Sequence, residues 1–250
     1  MIEKDEVVRT ADGPMSVTIR HPERDGPSPV VVVYHDGPGL REDIHDVTRR
    51  LADAGYYAVL PDLYHRIGPR ISFDMAGIGR GPGSPEFERL MAAVGSLDDV
   101  EVLADTAAML DLIAKDPAAG VGAKAAMGFC VGARLVFRLL AADPDGFAAG
   151  AAMHPSFCVT DDPDSPHRSV GDISAELFVG FGAADTLASL ELNQPLRQEL
   201  ARPTVNATVE VFDGADHGFM FPRLPSYDEH AASTSWDRTL AMYHRALVDR

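Results

Sequence analysis

The chain has 250 residues, 46% of them hydrophobic, and carries 22 lysines and arginines against 38 aspartates and glutamates, a formal charge of −16. Such acidity excludes nucleic acid or an anionic membrane as the main partner outside a local basic patch, and favours a small-molecule substrate. Cys130 and Cys158 are the only cysteines, too few to staple a fold and without the C-x-x-C spacing of zinc or redox sites, so the expectation is a reduced, cytoplasmic protein with no metal and no cofactor.

The opening segment Met1 to Glu6 lacks the apolar centre of a secretory signal, and no apolar run reaches the roughly 18 residues of a membrane span. Val7 to Thr10 and Ser16 to Arg20, joined through Asp12-Gly13, predict an antiparallel hairpin. Val30 to Tyr34 opens with consecutive valines and reads as a central strand buried on both faces. A helix is expected over 41–54, a strand over Tyr57 to Leu60, and a helix over 97–113 with Ser96 and Asp99 near its start. Further strands are expected at Lys124 to Phe129, Phe147 to Met153, Leu177 to Gly180 and Thr208 to Phe212, with helices from Cys130 and over 187–201. This alternation predicts an α/β fold in one domain spanning 1–250, with a mostly parallel central sheet, helices on both faces and the first hairpin as an antiparallel edge.

The stretch 67–95 is broken by Gly68, Pro69, Gly77, Gly79, Gly81, Pro82, Gly83 and Pro85. It reads as a lid or substrate-facing loop, or as an inert surface excursion. Gly77-Ile78-Gly79-Arg80-Gly81 lies inside it and lacks the strand-turn-helix setting of a dinucleotide site.

Cys130 sits in Gly128-Phe129-Cys130-Val131-Gly132, between an apolar run and a helical pattern. A nucleophile on a sharp strand-to-helix turn needs small residues flanking it so that the two backbones can approach; a buried structural cysteine is the alternative reading of this segment alone. Asp185 follows a later strand in Gly182-Ala183-Ala184-Asp185, and His217 follows the last in Asp216-His217-Gly218-Phe219. Nucleophile, acid and histidine in that order match a hydrolase triad on an α/β sheet. Asp185 is preferred to Asp216 because a side chain adjacent to the histidine does not generally reach behind its ring. His35, His154, His167 and His230 are the competing histidines, each with a structural or solvent-facing reading. An oxyanion would be met by the N–H of Val131 and by a donor after the Val30 to Tyr34 strand, for which Gly37 is the candidate.

Gly128-Phe129-Cys130-Val131-Gly132, Pro61-Asp62-Leu63-Tyr64, Gly182-Ala183-Ala184-Asp185 and His217-Gly218-Phe219 together resemble the dienelactone hydrolase family of the α/β-hydrolase superfamily. The resemblance implies a Cys-His-Asp triad at Cys130, His217 and Asp185 and hydrolysis of a lactone, in that family the enol-lactone dienelactone, giving maleylacetate. It implies that Asp36, one methylene shorter than the family's glutamate, stands near the resting thiol as a switch; capping the next helix is its other reading. It also implies arginines for a substrate carboxylate: Arg89 or its rival Arg80, and Arg223, since the family's second arginine position is Phe221 here. Tyr64, Phe219 and Phe221 are candidates for an apolar pocket, or for ordinary packing. The expected substrate is a small ester or lactone; a broad carboxylesterase and a noncatalytic ligand-binding scaffold are the alternatives.

Overall fold

The structure, a computed structural model, describes residues 1–249. It divides into two compact units, Met1–Val121 and a second from Gly122 onward.

In the first unit the strands run in the order β1 (Ile2–Thr10), β2 (Gly13–His21), β4 (Tyr57–Pro61), β3 (Val30–Tyr34). β1 pairs antiparallel with β2, and β2 antiparallel with β4, while β3 and β4 are parallel. The expected hairpin is therefore present and longer than its apolar core, because the alternating charged residues of β1 stand mostly exposed along it. All five residues of β3 are buried, as a run of valines with no polar face requires. Helix α1 (Glu42–Asp53) buries Ile44, Val47 and Leu51, an i, i+3, i+7 stripe.

Two expectations for this unit are corrected. The stretch 67–95 is not wholly irregular: it holds a short α2 (Met75–Ile78) and an eleven-residue α3 (Pro85–Gly95). Pro85 does not break a helix here but starts one, because the first turn needs no proline N–H and Ser84 accepts the Phe87 N–H as N-cap. The next helix, α4 (Asp99–Ile113), is capped by Asp98, which accepts from Val100 and Glu101, whereas the Ser96 hydroxyl donates to Ala93 at the end of α3.

The second unit contains four parallel strands in the order β5 (Lys124–Phe129), β6 (Phe147–Met153), β7 (Glu176–Gly182), β8 (Ala207–Phe212). Helix α5 (Val131–Ala142) follows β5 directly and packs on β5 and β6. The small residues of β6 make that packing close: a Cβ at Gly150 would lie 2.5 Å from Leu140. The helix expected over 187–201 is shorter, α6 (Gln194–Leu200). Its intended first turn is diverted because the Asp185 carboxylate captures the N–H groups of Leu187 and Ala188, and the Asn193 amide donates to the carbonyls of Ala188 and Ser189. A long α7 (Glu229–Leu247), for which no helix was expected, starts at the Asp228 cap and ties to β5 through the Tyr243 hydroxyl, which donates to Ala126. Among the described residues no helix is long and apolar enough to cross a membrane.

The β5–α5 junction positions the candidate nucleophile, and it depends on Gly128. A Cβ there would fall 2.2 Å from the Gly132 carbonyl oxygen and 2.8 Å from the Ala133 nitrogen, backbone atoms that cannot turn aside. Gly128→Ala is expected to lose roughly 3 kcal/mol of stability in urea denaturation. Gly95→Ala, where nothing lies within 4 Å of the new carbon, is expected to hold stability or gain up to about 1 kcal/mol. Equal effects of the two substitutions would contradict this account of the junction.

Candidate active site

Parallel strands place their following loops at one edge of the sheet, and the second unit uses four of them. Cys130 follows β5, His154 follows β6, Asp185 lies beyond β7 and His217 beyond β8. Cys130 has φ of 53°, a left-handed conformation that a side chain with a Cβ adopts only under constraint. Three backbone bonds hold it there: its N–H donates to Met153, and its carbonyl accepts from Ala133 and Ser156. Val131 is the first residue of α5, so its N–H has no acceptor inside the helix.

His217 Nδ1 lies 2.7 Å from Asp185 Oδ2, and the same imidazole is hydrogen-bonded to Cys130. The other carboxylate oxygen of Asp185 accepts from Leu187 at 2.9 Å and Ala188 at 2.7 Å, fixing the acid from behind. A close crossing of the acid and histidine loops makes this possible: a Cβ at Gly182 would sit 2.4 Å from the Ala215 carbonyl. Asp216 instead accepts the His217 backbone N–H at 2.6 Å and does not serve the ring.

The electrostatics agree with this chain of bonds. Burial opposes a charge on His217, but the Cys130 sulfur, then the Asp185 hydrogen bond and charge, outweigh it and push the imidazole up to about 10. Burial likewise opposes ionised Asp185, yet His217 and the amides of Ala188 and Leu187 hold it below the usual carboxylate range. The imidazole beside the Cys130 sulfur is therefore held in its protonated form at neutral pH.

The remaining candidates divide between the units. Val131, Phe219 and Arg223 join the triad residues in the second. Phe219 is fully buried, with its ring 5.4 Å from both His154 and Phe212, which makes it packing rather than pocket lining. Arg223 lies on an exposed turn. In the first unit, Asp36 is ion-paired with Arg41, whose Nε also lies 3.3 Å from Asp43. His35 is structural: burial pushes it below its ordinary range, its Nδ1–H donates to the Asp36 carbonyl at 2.7 Å, and its Nε2 accepts from Leu63 at 3.3 Å. The Tyr64 hydroxyl donates to the Gly37 carbonyl at 2.8 Å while its ring is buried. Arg89 donates to Glu86 at 2.6 Å and to the Ser72 carbonyl at 2.5 Å, and stacks 4.4 Å above Phe73. Arg80 is exposed. His154, a competing histidine in the sequence with a structural or solvent-facing reading, is buried with its ring 4.8 Å from that of His217, a placement that only its position at the end of a parallel strand could have signalled.

Fold and site together define an α/β-hydrolase with a Cys-His-Asp constellation. The sequence model of the dienelactone hydrolase family matches residues 15–247, and the chain belongs to that family. An Escherichia coli (strain K12) protein named "Putative carboxymethylenebutenolidase" is 30% identical over 231 residues, covering 90% of this chain and 79% of the relative. A Synechocystis protein of the same name is 27% identical over 89% of this chain and 88% of its own. A crystal structure titled "Putative Dienelactone Hydrolase" from Klebsiella pneumoniae superposes with a TM-score of 0.84, at 27% identity over 98% of both chains. The chain is thus a hydrolase of the carboxylic ester class.

The raised imidazole has a measurable consequence. Because folding lifts His217 above its ordinary 6.5, the stability it contributes is fully present below that value and is lost as pH rises through about 10. In Cys130→Ser the sulfur charge is gone, so the His217 ring should lose its proton at lower pH in NMR titration, and the alkaline loss of stability should begin earlier. An unchanged titration in that variant would contradict the pairing.

Proposed function

We propose that the chain hydrolyses a lactone or small carboxylic ester through an acyl-thioenzyme on Cys130. The observation that carries this reading is the continuous hydrogen-bonded line from Cys130 through His217 to Asp185. The Cys130 thiolate attacks the substrate carbonyl carbon, and the N–H of Val131 faces the oxygen that gains charge. Collapse of the tetrahedral intermediate breaks the ester C–O bond, and the His217 imidazolium gives its proton to the departing alkoxide. A lactone keeps that alcohol on the acyl group; an ester releases it. His217, now neutral, takes a proton from water, whose oxygen attacks the thioester, and the thiolate leaves as the acid forms. Asp185 holds the ring's orientation and stabilises its protonated form throughout. The match of the family model to 15–247, across both units, supports treating 1–250 as one functional domain.

The carboxymethylenebutenolidase name of the relatives favours a lactone. A neutral ester is favoured instead by the bonds of Arg89, whose guanidinium is committed to Glu86, Ser72 and Phe73. Steady-state kinetics on a dienelactone and on neutral short-chain esters separate the two. Cys130→Ala should lower kcat by roughly a thousandfold or more on either substrate. A loss confined to anionic substrates in Arg89→Ala assigns the lactone; equal behaviour on both assigns a broad carboxylesterase. Undiminished turnover in Cys130→Ala would overturn the mechanism.

A further inference from the structure

We propose that His154 is a positioning residue for the reaction, its ring serving as the wall that fixes the plane of the His217 imidazole. This rests on the cysteine-hydrolase reading above. His154 is 1% exposed and follows the last residue of β6 with φ of 39°, a second non-glycine residue in the left-handed region beside the site. Strain of this kind persists only where the surroundings determine it, and it collects at sites that need a fixed geometry.

The surroundings here are specific. The His154 N–H donates to the Gly180 carbonyl at 2.8 Å, locking the residue to the end of β7. Its ring is enclosed by Phe129, Phe219 and Phe221 at centroid distances of 6.0, 5.4 and 5.8 Å. The His217 ring meets it edge to face, 4.8 Å away at 68°. An imidazole free to turn about its last side-chain bond would break the line between sulfur and carboxylate, and a fixed ring at this separation blocks that rotation.

The two residues that follow restrain the other members of the triad. The Ser156 N–H donates to the Cys130 carbonyl at 3.1 Å. The Pro155 carbonyl accepts from the buried Asn193 amide at 3.2 Å, and that amide also donates to Ala188, whose own N–H holds Asp185. One three-residue segment thus carries a restraint towards the nucleophile, the base and the acid. The sequence gives no sign of this, since its members are unremarkable until β6 brings them between the other three loops.

The test compares His154→Ala with His154→Phe, which keeps a flat aromatic ring, slightly larger than imidazole, without its nitrogens. His154→Ala should lower kcat by roughly ten- to a hundredfold while KM stays nearly unchanged, as expected when alignment and not binding is lost. Its His217 ring should titrate at lower pH than in the parent, and iodoacetamide should label Cys130 more slowly at neutral pH. His154→Phe should recover all three. If the alanine variant does not fold by thermal unfolding, His154→Asn, short of the His217 ring and tolerant of a left-handed backbone, takes its place with the same expectation. A folded alanine or asparagine variant with parental kcat and titration overturns the proposal, and so does a folded phenylalanine variant that recovers nothing. Absence of ester turnover in the parent would defeat the proposed function, while titration and labelling would still decide the role of His154.

Discussion

The candidate site in the second unit depends on one contact, that between the Cys130 sulfur and the His217 imidazole. A thiol at the end of a buried strand is not by itself a reactive group, since burial opposes the thiolate. Here the opposing charge is supplied by His217, and the ring is in turn held by Asp185 at 2.7 Å. Removing Cys130 or Asp185 takes from His217 one of the two groups that favour its charge against burial. The restraints on each loop therefore serve electrostatics as much as shape.

Those restraints come from backbone groups more than from side-chain packing. Cys130 is kept in a left-handed conformation by bonds to Met153, Ala133 and Ser156, and Asp185 by two successive N–H groups of its own loop. Gly128 and Gly182 allow the close approaches on which the nucleophile and acid loops depend. The first unit follows the same economy at the turn after β3, where His35, Tyr64 and Arg41 each bond to the segment containing Asp36 and Gly37. For Asp36 this means that its carboxylate already has a cationic partner, which any motion of that side chain would have to break.

Much of this was legible in the sequence, for physical reasons. Buried parallel strands need unbroken apolar runs, so β3, β5 and β6 were readable to the residue or nearly so. The preference for Asp185 over Asp216 rests on how side chains can reach a ring, and Asp185 Oδ2 lies 2.7 Å from Nδ1. Elsewhere local chemistry was misjudged. Pro85 looked like a breaker and is a first-turn residue; 187–193 looked helical, but Asp185 and Asn193 compete for its backbone groups. Helix α7 escaped notice because its buried stripe contains Ala231, Ser235 and Thr239 among larger residues, a weak hydrophobic signal. His154 was visible only as a competing histidine, because its contacts are with His217 and Phe219, 63 residues or more away in the chain.

The central claim is that substrate becomes covalently attached to the sulfur of Cys130. Rapid-quench mass spectrometry with an activated small ester, followed by proteolysis, addresses it directly. The account predicts an acyl mass on the peptide containing Cys130 within the first turnover, disappearing as product accumulates. Turnover with no such adduct, or with the acyl group carried on another residue such as Cys158, would contradict it.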